Sequence, residues 1–238
     1  MSINTKKQFQ KCLPTYDENA VVQKDMGDKI IKLLTKYCTK FDNILELGCG
    51  TGILTKKVTQ NFDIKNYWAN DFVEDVQKML PQNIEFILGD INEIEFPQNI
   101  DLVISNAVFQ WLENPEIVIN KIAKVLNHND YFIFSTFSPR NFYEIKSLCG
   151  LSLEYKTEKD LVKILSKEFK IVEIMSYEKT LNFSSPIEVL KHMKKTGVNS
   201  LDTKPWGITK TREFCKKYSQ KFPQNTLTYC PIIIVVKK

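Results

Sequence analysis

The chain has 238 residues and a 43% hydrophobic fraction, which is enough for one sizeable domain with a packed core and excludes a disordered chain. Its formal charge of +5 is carried almost wholly by lysine, with Arg140 and Arg212 the two arginines, and it forms no basic run of the kind that binds nucleic acid. No apolar run approaches the roughly 20 residues of a membrane span, and six scattered cysteines (12, 38, 49, 149, 215 and 230) beside two histidines fit neither a zinc site nor a disulfide framework. The first residues are polar and lack the apolar core of a signal peptide, so a cytoplasmic protein is expected.

In chain order, residues 3–38 read as helical. Phe9, Cys12 and Leu13 make a partial apolar face, and Pro14 interrupts it. Tyr16-Asp17-Glu18-Asn19 reads as a turn feeding a second helix over about 17–37, with Asp17 as its cap. A short apolar run at 43–47 reads as the first strand. It breaks into Gly48, Gly50 and Gly52 and continues as a helix over 53–61. Residues 67–71 read as a strand ending in an acid, 73–80 as a helix stopped by Pro81, and 84–88 as a third strand followed by Gly89-Asp90. A strand at 101–105, a helix at 115–126 and a strand at 131–137 follow.

Strands alternating with helices at this rhythm imply right-handed βαβ units and a parallel sheet. Beyond residue 137 the rhythm changes: helix at 158–169, strand at 171–183, helices at 186–195 and 209–221, and a last strand at 226–237. The expected organisation is a single domain, 1–238. It comprises an N-terminal helical cover (1–38), a Rossmann-like core (39–183), a helical lid insertion (184–222) and the last strand (223–238).

Three marks fall at the carboxyl ends of strands, where a doubly wound sheet binds ligands. Glycines in the first loop permit close approach of a ligand to the main chain and to the free N–H groups of a helix N-terminus. An acid after the second strand, Asp71, can accept two hydrogen bonds from a vicinal diol. An acid after the third strand, Asp90, is placed to accept from an adenine amino group.

Glu46-x-Gly48-x-Gly50-x-Gly52, with Asp71, Asp90 and the strand running from Asp101 to Asn106, resembles the class I S-adenosylmethionine-dependent methyltransferases over about residues 40–140. The resemblance implies their Rossmann-like α/β fold: a mostly parallel seven-stranded sheet with helices on both faces. It implies that Glu46 and the Gly48–Gly52 backbone, Cys49 included, hold the amino-acid end of the cofactor. Asp71 would hold its ribose with Phe72 against the adenine, Asp90 and Ile91 would read the adenine edge, and Asn106 and Ala107 would lie under the sulfonium. Phe72 and Ile91 equally fit core positions.

Four further segments carry a narrower likeness: Tyr16-Asp17-x-x-Ala20-x-x-Gln23 with Phe9 seven residues earlier, 105–111, 190–199 and 227–229. Together they resemble the malonyl-[acyl-carrier protein] O-methyltransferases of biotin synthesis. The chain departs from that pattern in a short 138–155 segment, in Lys191 where arginine is common, and in Cys230-Pro231 after Tyr229. The resemblance implies methylation of a malonyl carboxylate on an acyl carrier protein, by a monomer that needs no metal, nucleic acid or membrane. Tyr16 is the leading catalytic residue, orienting the carboxylate or the cofactor. Phe9, Trp111, Arg140, Phe183, Lys191 and His192 are candidates for substrate contact, although Phe183 also fits the core and Lys191 and His192 a solvated helix face. The alternatives are another small-molecule carboxyl or natural-product O-methyltransferase and, in a different class, a non-catalytic cofactor-binding or RNA-associated protein.

Overall fold

The computed structural model describes residues 3–37, 40–197 and 206–238, so Cys38 and the last residues of the 190–199 segment lie outside the described residues. Nine strands and eight α-helices are described. Five strands, β1 (Lys40–Leu47), β2 (Asp63–Asp71), β3 (Glu85–Leu88), β4 (Ile100–Asn106) and β5 (Leu126–Phe137), run parallel. β9 (Pro231–Lys237) pairs antiparallel with β5 on one side and with β6 (Lys170–Ser176) on the other. The sheet order is β3-β2-β1-β4-β5-β9-β6, seven strands in all. Its direction of winding reverses between β1 and β4, which opens a crevice at their carboxyl ends.

The period-two pattern of the strands sorts side chains onto two cores. In β9, Ile232, Ile234 and Val236 join α4 (Pro115–Val125) and α6 (Glu158–Leu165) on one face. Ile233 and Val235 join α2 (Val21–Leu34) and α3 (Ile53–Asn61) on the other. All five are fully or almost fully buried, and each such side chain stabilises the fold by roughly 1.5–3 kcal/mol. Local signals fix the helix starts: Asn114 caps α4 ahead of Pro115, and Thr157 with Asp160 forms a capping box on α6.

Four elements differ from the sequence expectation. The first helix, α1 (Ile3–Asn19), runs through Pro14 instead of turning at 16–19. The ring removes one backbone donor, but Phe9 and Leu13 pack against the core and Cys12 is buried, and this face holds the helix together. The segment expected as a helix at 73–80 is a short 3-10 helix, Glu74–Met79. The strand expected at 171–183 ends at Ser176, and the chain leaves the main sheet to form β7 (Lys179–Asn182). The last strand likewise breaks at Cys230: β8 (Thr226–Tyr229) pairs antiparallel with β7 in a separate two-stranded sheet, and β9 begins at Pro231, whose nitrogen cannot donate to a ladder.

A helix with no clear periodic signature, α5 (Tyr143–Cys149), starts after Phe142 in a left-handed conformation (φ 55°). It packs against α8 (Ile208–Lys221) and β8. Between β7 and β8 in the chain lie α7 (Pro186–Lys195) and α8. Val189 and Met193 of α7 and Phe214 and Tyr218 of α8 form a third core with Val22, Phe137, Ile145 and Tyr229, beyond the carboxyl ends of the strands.

Candidate active site

The crevice at the carboxyl ends of β1 to β4 is a cavity of about 930 Å³ including its mouth. β1 delivers Glu46, which is 1% exposed. Its Oε2 accepts from Thr55 Oγ1 at 2.6 Å and from Tyr67 Oη at 2.5 Å. Oε1 has no partner among the described residues. Burial drives this carboxyl up to about 7 against those two hydrogen bonds, with the charge of Asp71 adding to the rise.

The glycine loop then turns under the cavity. Gly48 has φ +70°, and a Cβ there would stand 2.4 Å from Val108 Cγ2, so both torsion and space require glycine. A side chain at Gly50 would meet no protein atom within 4 Å, which leaves room beside the loop for a ligand. Cys49 lines the cavity, but burial, followed by the charges of Asp71 and Glu46, holds its thiol protonated, so it is no nucleophile. Gly52 does not line the cavity. It sits at the N-terminus of α3 with a left-handed φ of 79°.

Asp71, at the end of β2, braces the loop. Its Oδ2 accepts the Gly50 amide at 2.9 Å and its Oδ1 the Val73 amide at 2.9 Å. Burial raises its pKa, and the backbone donors oppose the rise. Each oxygen keeps a lone pair for a further donor. Asp90 and Ile91 line the same cavity after β3, Asp90 Oδ1 accepting from Asn92 N and Nδ2. Phe72 also lines it, 6.5 Å from the Phe9 ring, while Ile91 faces both the cavity and the core.

At the end of β4 the side chain of Asn106 is held at both ends: Oδ1 accepts from Ser135 Oγ at 2.6 Å, and Nδ2 donates to the Gln23 carbonyl at 3.0 Å. Ala107 follows in the left-handed region, at φ 58°, its amide donating to Ser135 Oγ.

A second cavity of about 360 Å³ adjoins the first. Phe9, Tyr16, Gln23, Ala107 and Trp111 line both. Phe9 stands edge-on to Trp111 with ring centroids 5.6 Å apart, and tilted to Tyr16 at 6.4 Å. Burial, followed by the charges of Asp17 and Asp71, raises the Tyr16 phenol and keeps it protonated. The second cavity is also lined by Gln110, Asn141, Tyr155, Thr196 and Tyr229, which do not line the first. No lysine or arginine lines it among the described residues.

Four candidates for substrate contact line neither cavity. The Arg140 side chain is 72% exposed and pairs with Glu178 at 3.2 Å. Lys191 points outward from α7 and pairs with Glu188. His192 lies one position on, on the inner face of α7, where it packs on the Phe183 ring and its Nε2 lies 2.7 Å from Tyr229 Oη. It therefore stands behind the wall formed by Tyr229. Burial, followed by the charge of Lys195, lowers it to about 4 and keeps it neutral. Asp17 does not cap α2, which begins after Ala20 with no side-chain cap; it accepts instead from Thr51 Oγ1.

The sequence reading gave no role to Gln23, Asn141, Tyr155, Thr196 or Tyr229. Gln23, Thr196 and Tyr229 stand inside segments that carried the family likeness, whereas Asn141 and Tyr155 lie in irregular chain with no local pattern to mark them.

Residues 45–134 match the methyltransferase-domain family model. Over 239 aligned residues the chain is 35% identical to the malonyl-[acyl-carrier protein] O-methyltransferase of Calditerrivibrio nitroreducens, spanning 99% of this chain and 97% of that protein. The chain belongs to the malonyl-[acyl-carrier protein] O-methyltransferase family. The enzyme of that name from Chlorobium luteolum is 33% identical over 98% of this chain and 94% of its own length. Among solved structures, a methyltransferase from Bacillus halodurans superposes with a TM-score of 0.63 at 17% identity, covering 88% of this chain and 97% of its own. An N-methyltransferase from Bradyrhizobium japonicum in complex with S-adenosyl-L-homocysteine does so with a TM-score of 0.58 at 13% identity, covering 99% and 98%. These neighbours share the fold.

Proposed function

We propose that this chain methylates the free carboxylate of a malonyl group carried on an acyl carrier protein, using S-adenosylmethionine. The observation that carries this reading is the shared wall of Phe9, Tyr16, Gln23, Ala107 and Trp111, across which a donor cavity and an acceptor cavity meet. The larger cavity fits the cofactor. Glu46 lines the cavity and keeps one oxygen for an ammonium group, the Gly50 face leaves open space, and Asp71 has lone pairs to spare for a ribose diol. Asp90 and Ile91 suit the adenine edge with Phe72 against its face, and Asn106 and Ala107 lie where the sulfonium end would rest.

When bound, the cofactor supplies an electrophilic methyl carbon whose bonding pair returns to sulfur as the new carbon–oxygen bond forms. A malonyl carboxylate is ionised at neutral pH, so no general base has to remove a proton. The protein's part is alignment and desolvation. Phe9 and Trp111 exclude water at the junction, and the Tyr16 hydroxyl, protonated throughout, donates to the acceptor carboxylate. Neutral hydroxyls and amides around the acceptor leave its electron pair available for attack, where an arginine or lysine would hold it back. α1 and α7 cover the junction: Cys12 Sγ donates to the Lys194 carbonyl, and the Phe9 ring lies against Gly197.

The test is turnover with malonyl-acyl carrier protein beside malonyl-coenzyme A and a panel of free short-chain acids. Methyl ester on the malonyl thioester with an equal amount of S-adenosylhomocysteine is expected. Methylation of the free acids while the malonyl thioesters remain untouched overturns the reading.

A further inference from the structure

The acceptor cavity contains a hydroxyl whose hydrogen-bond direction is fixed by the residues behind it. Asn141 is 1% exposed, and its Oδ1 accepts the backbone amide of Cys230 at 3.0 Å. That bond settles which end of the side-chain amide is oxygen. Nδ2 is therefore a donor, and it lies 2.9 Å from Tyr155 Oη. The phenol oxygen is the acceptor in this pair, so the proton of Tyr155 must be directed elsewhere. No described residue accepts it, and the side chain lines the acceptor cavity. The ring is held edge-on to Phe137, with centroids 6.5 Å apart. Burial raises the phenol well above its ordinary range, so it stays a donor. Tyr229, on the same wall, shares a 2.7 Å hydrogen bond with His192 Nε2, in which either atom can be the donor, so its proton is not fixed by its partners as that of Tyr155 is. Tyr155 is thus a spare donor in the same cavity that Tyr16 lines.

We propose that Tyr155 binds the non-reacting oxygen of the acceptor carboxylate, with Tyr16 as a second donor in the same cavity, and so distinguishes the ionised acid from its methyl ester. The inference rests on the proposed reaction. A hydrogen bond to a charged oxygen in a buried site is lost on removing the hydroxyl, whereas an ester oxygen accepts more weakly. The product should therefore gain little from Tyr155 and should leave readily.

The experiment compares wild type with Tyr155→Phe, using malonyl thioester as substrate and its methyl ester as competing product. The acceptor KM should rise about 10-fold or more. The KM for S-adenosylmethionine and the affinity for S-adenosylhomocysteine should stay within twofold, and so should inhibition by the methyl ester. Asn141→Asp provides a second variant: its carboxylate accepts both the Cys230 amide and the phenol proton, which turns the hydroxyl away from the cavity, and the acceptor KM should again rise. Binding of S-adenosylhomocysteine reports that each variant is folded. An unchanged acceptor KM in either folded variant overturns the proposal, as does an equal loss of affinity for acid and ester. If wild type itself methylates no malonyl thioester, the reaction assignment fails, and that result is separate from any effect of Tyr155.

Discussion

Thr51 Oγ1, in the glycine loop, donates to Asp17 Oδ1, in α1, at 2.5 Å. The bond ties the cover of the cavity to the loop that forms its floor. Gln10 Nε2 to Asp75 Oδ2 is a second tie, on the surface. Because Thr51 is buried, removing its hydroxyl leaves the Asp17 carboxylate without that partner and loosens α1 over the donor cavity. Thr51→Val should raise the KM for S-adenosylmethionine about five- to tenfold with little change in kcat, as steady-state kinetics would show. An unchanged KM would mean that α1 seats itself without this bond.

Gly48→Ala combines a left-handed torsion with a Cβ 2.4 Å from Val108 Cγ2. Val108 is branched and buried and has little room to retreat. Strain and overpacking together should cost about 2–4 kcal/mol. Chemical denaturation should show that loss, and calorimetry should show at least a 100-fold weaker affinity for S-adenosylhomocysteine. Adding Val108→Ala should restore part of the stability, since it removes the clash but not the torsion.

Glu46 sets a pH dependence of known sign. Its carboxyl titrates at about 7 in the folded chain against an ordinary 4.5, because it is buried. Between those values the folded state holds a proton that the unfolded chain has released. Stability from this group is complete below about 4.5 and is lost as pH rises through about 7. A cofactor ammonium favours the ionised form, so cofactor affinity should increase over the same rise. Titration calorimetry from pH 6 to pH 8 tests this, and Glu46→Gln should flatten the profile.

His192 gives the opposite slope. Burial and Lys195 lower it to about 4 from an ordinary 6.5. Below 6.5 the unfolded chain takes up a proton that the folded chain refuses, so its contribution is present above 6.5 and is lost as pH falls through about 4. Thermal unfolding of wild type should fall more steeply from pH 6.5 to pH 4 than that of His192→Gln. At pH 8 the substitution should leave the acceptor KM within threefold, because the ring stands behind Tyr229 and does not line the cavity.

Lys194 and Lys195 are exposed on α7, immediately before Thr196 of the acceptor wall. An acidic carrier protein approaching that wall would meet them. Turnover of the carrier-bound substrate should fall with added salt more than turnover of a small thioester mimic, and Lys194→Glu with Lys195→Glu should erase the difference. Equal salt sensitivity in wild type would remove electrostatic docking from the account.

The alternation of short apolar strands with helices up to residue 137 was legible because each βα unit carries its own period and its own stop signals, such as Gly48 and Pro81. The residues expected at the cofactor could be picked out for the same reason, since these acids and glycines stand at strand ends, and all but Gly52 line one cavity. Pro14 misled because tertiary packing of Phe9 and Leu13 outweighs one lost backbone bond. The lining of the second cavity was largely hidden. Lys191 and His192 are adjacent in sequence yet lie on opposite faces of α7, and only the packing shows which is buried. Asn141 meets Tyr155 in an orientation fixed by the Cys230 amide, 89 residues from Asn141 in the chain, and no local pattern encodes that.

The break at Cys230 has a consequence for how the molecule assembles. β9 lies between β5 and β6 in the sheet but follows both in the chain, so β6 remains detached until this segment arrives. The same segment brings Tyr229 and the amide that orients Asn141. The glycine-loop half closes through nearby contacts and can form early, whereas the acceptor half depends on the most non-local pairing in the fold. A chain folding in this order acquires a cleft for the methyl donor before it acquires anywhere to deliver the methyl group.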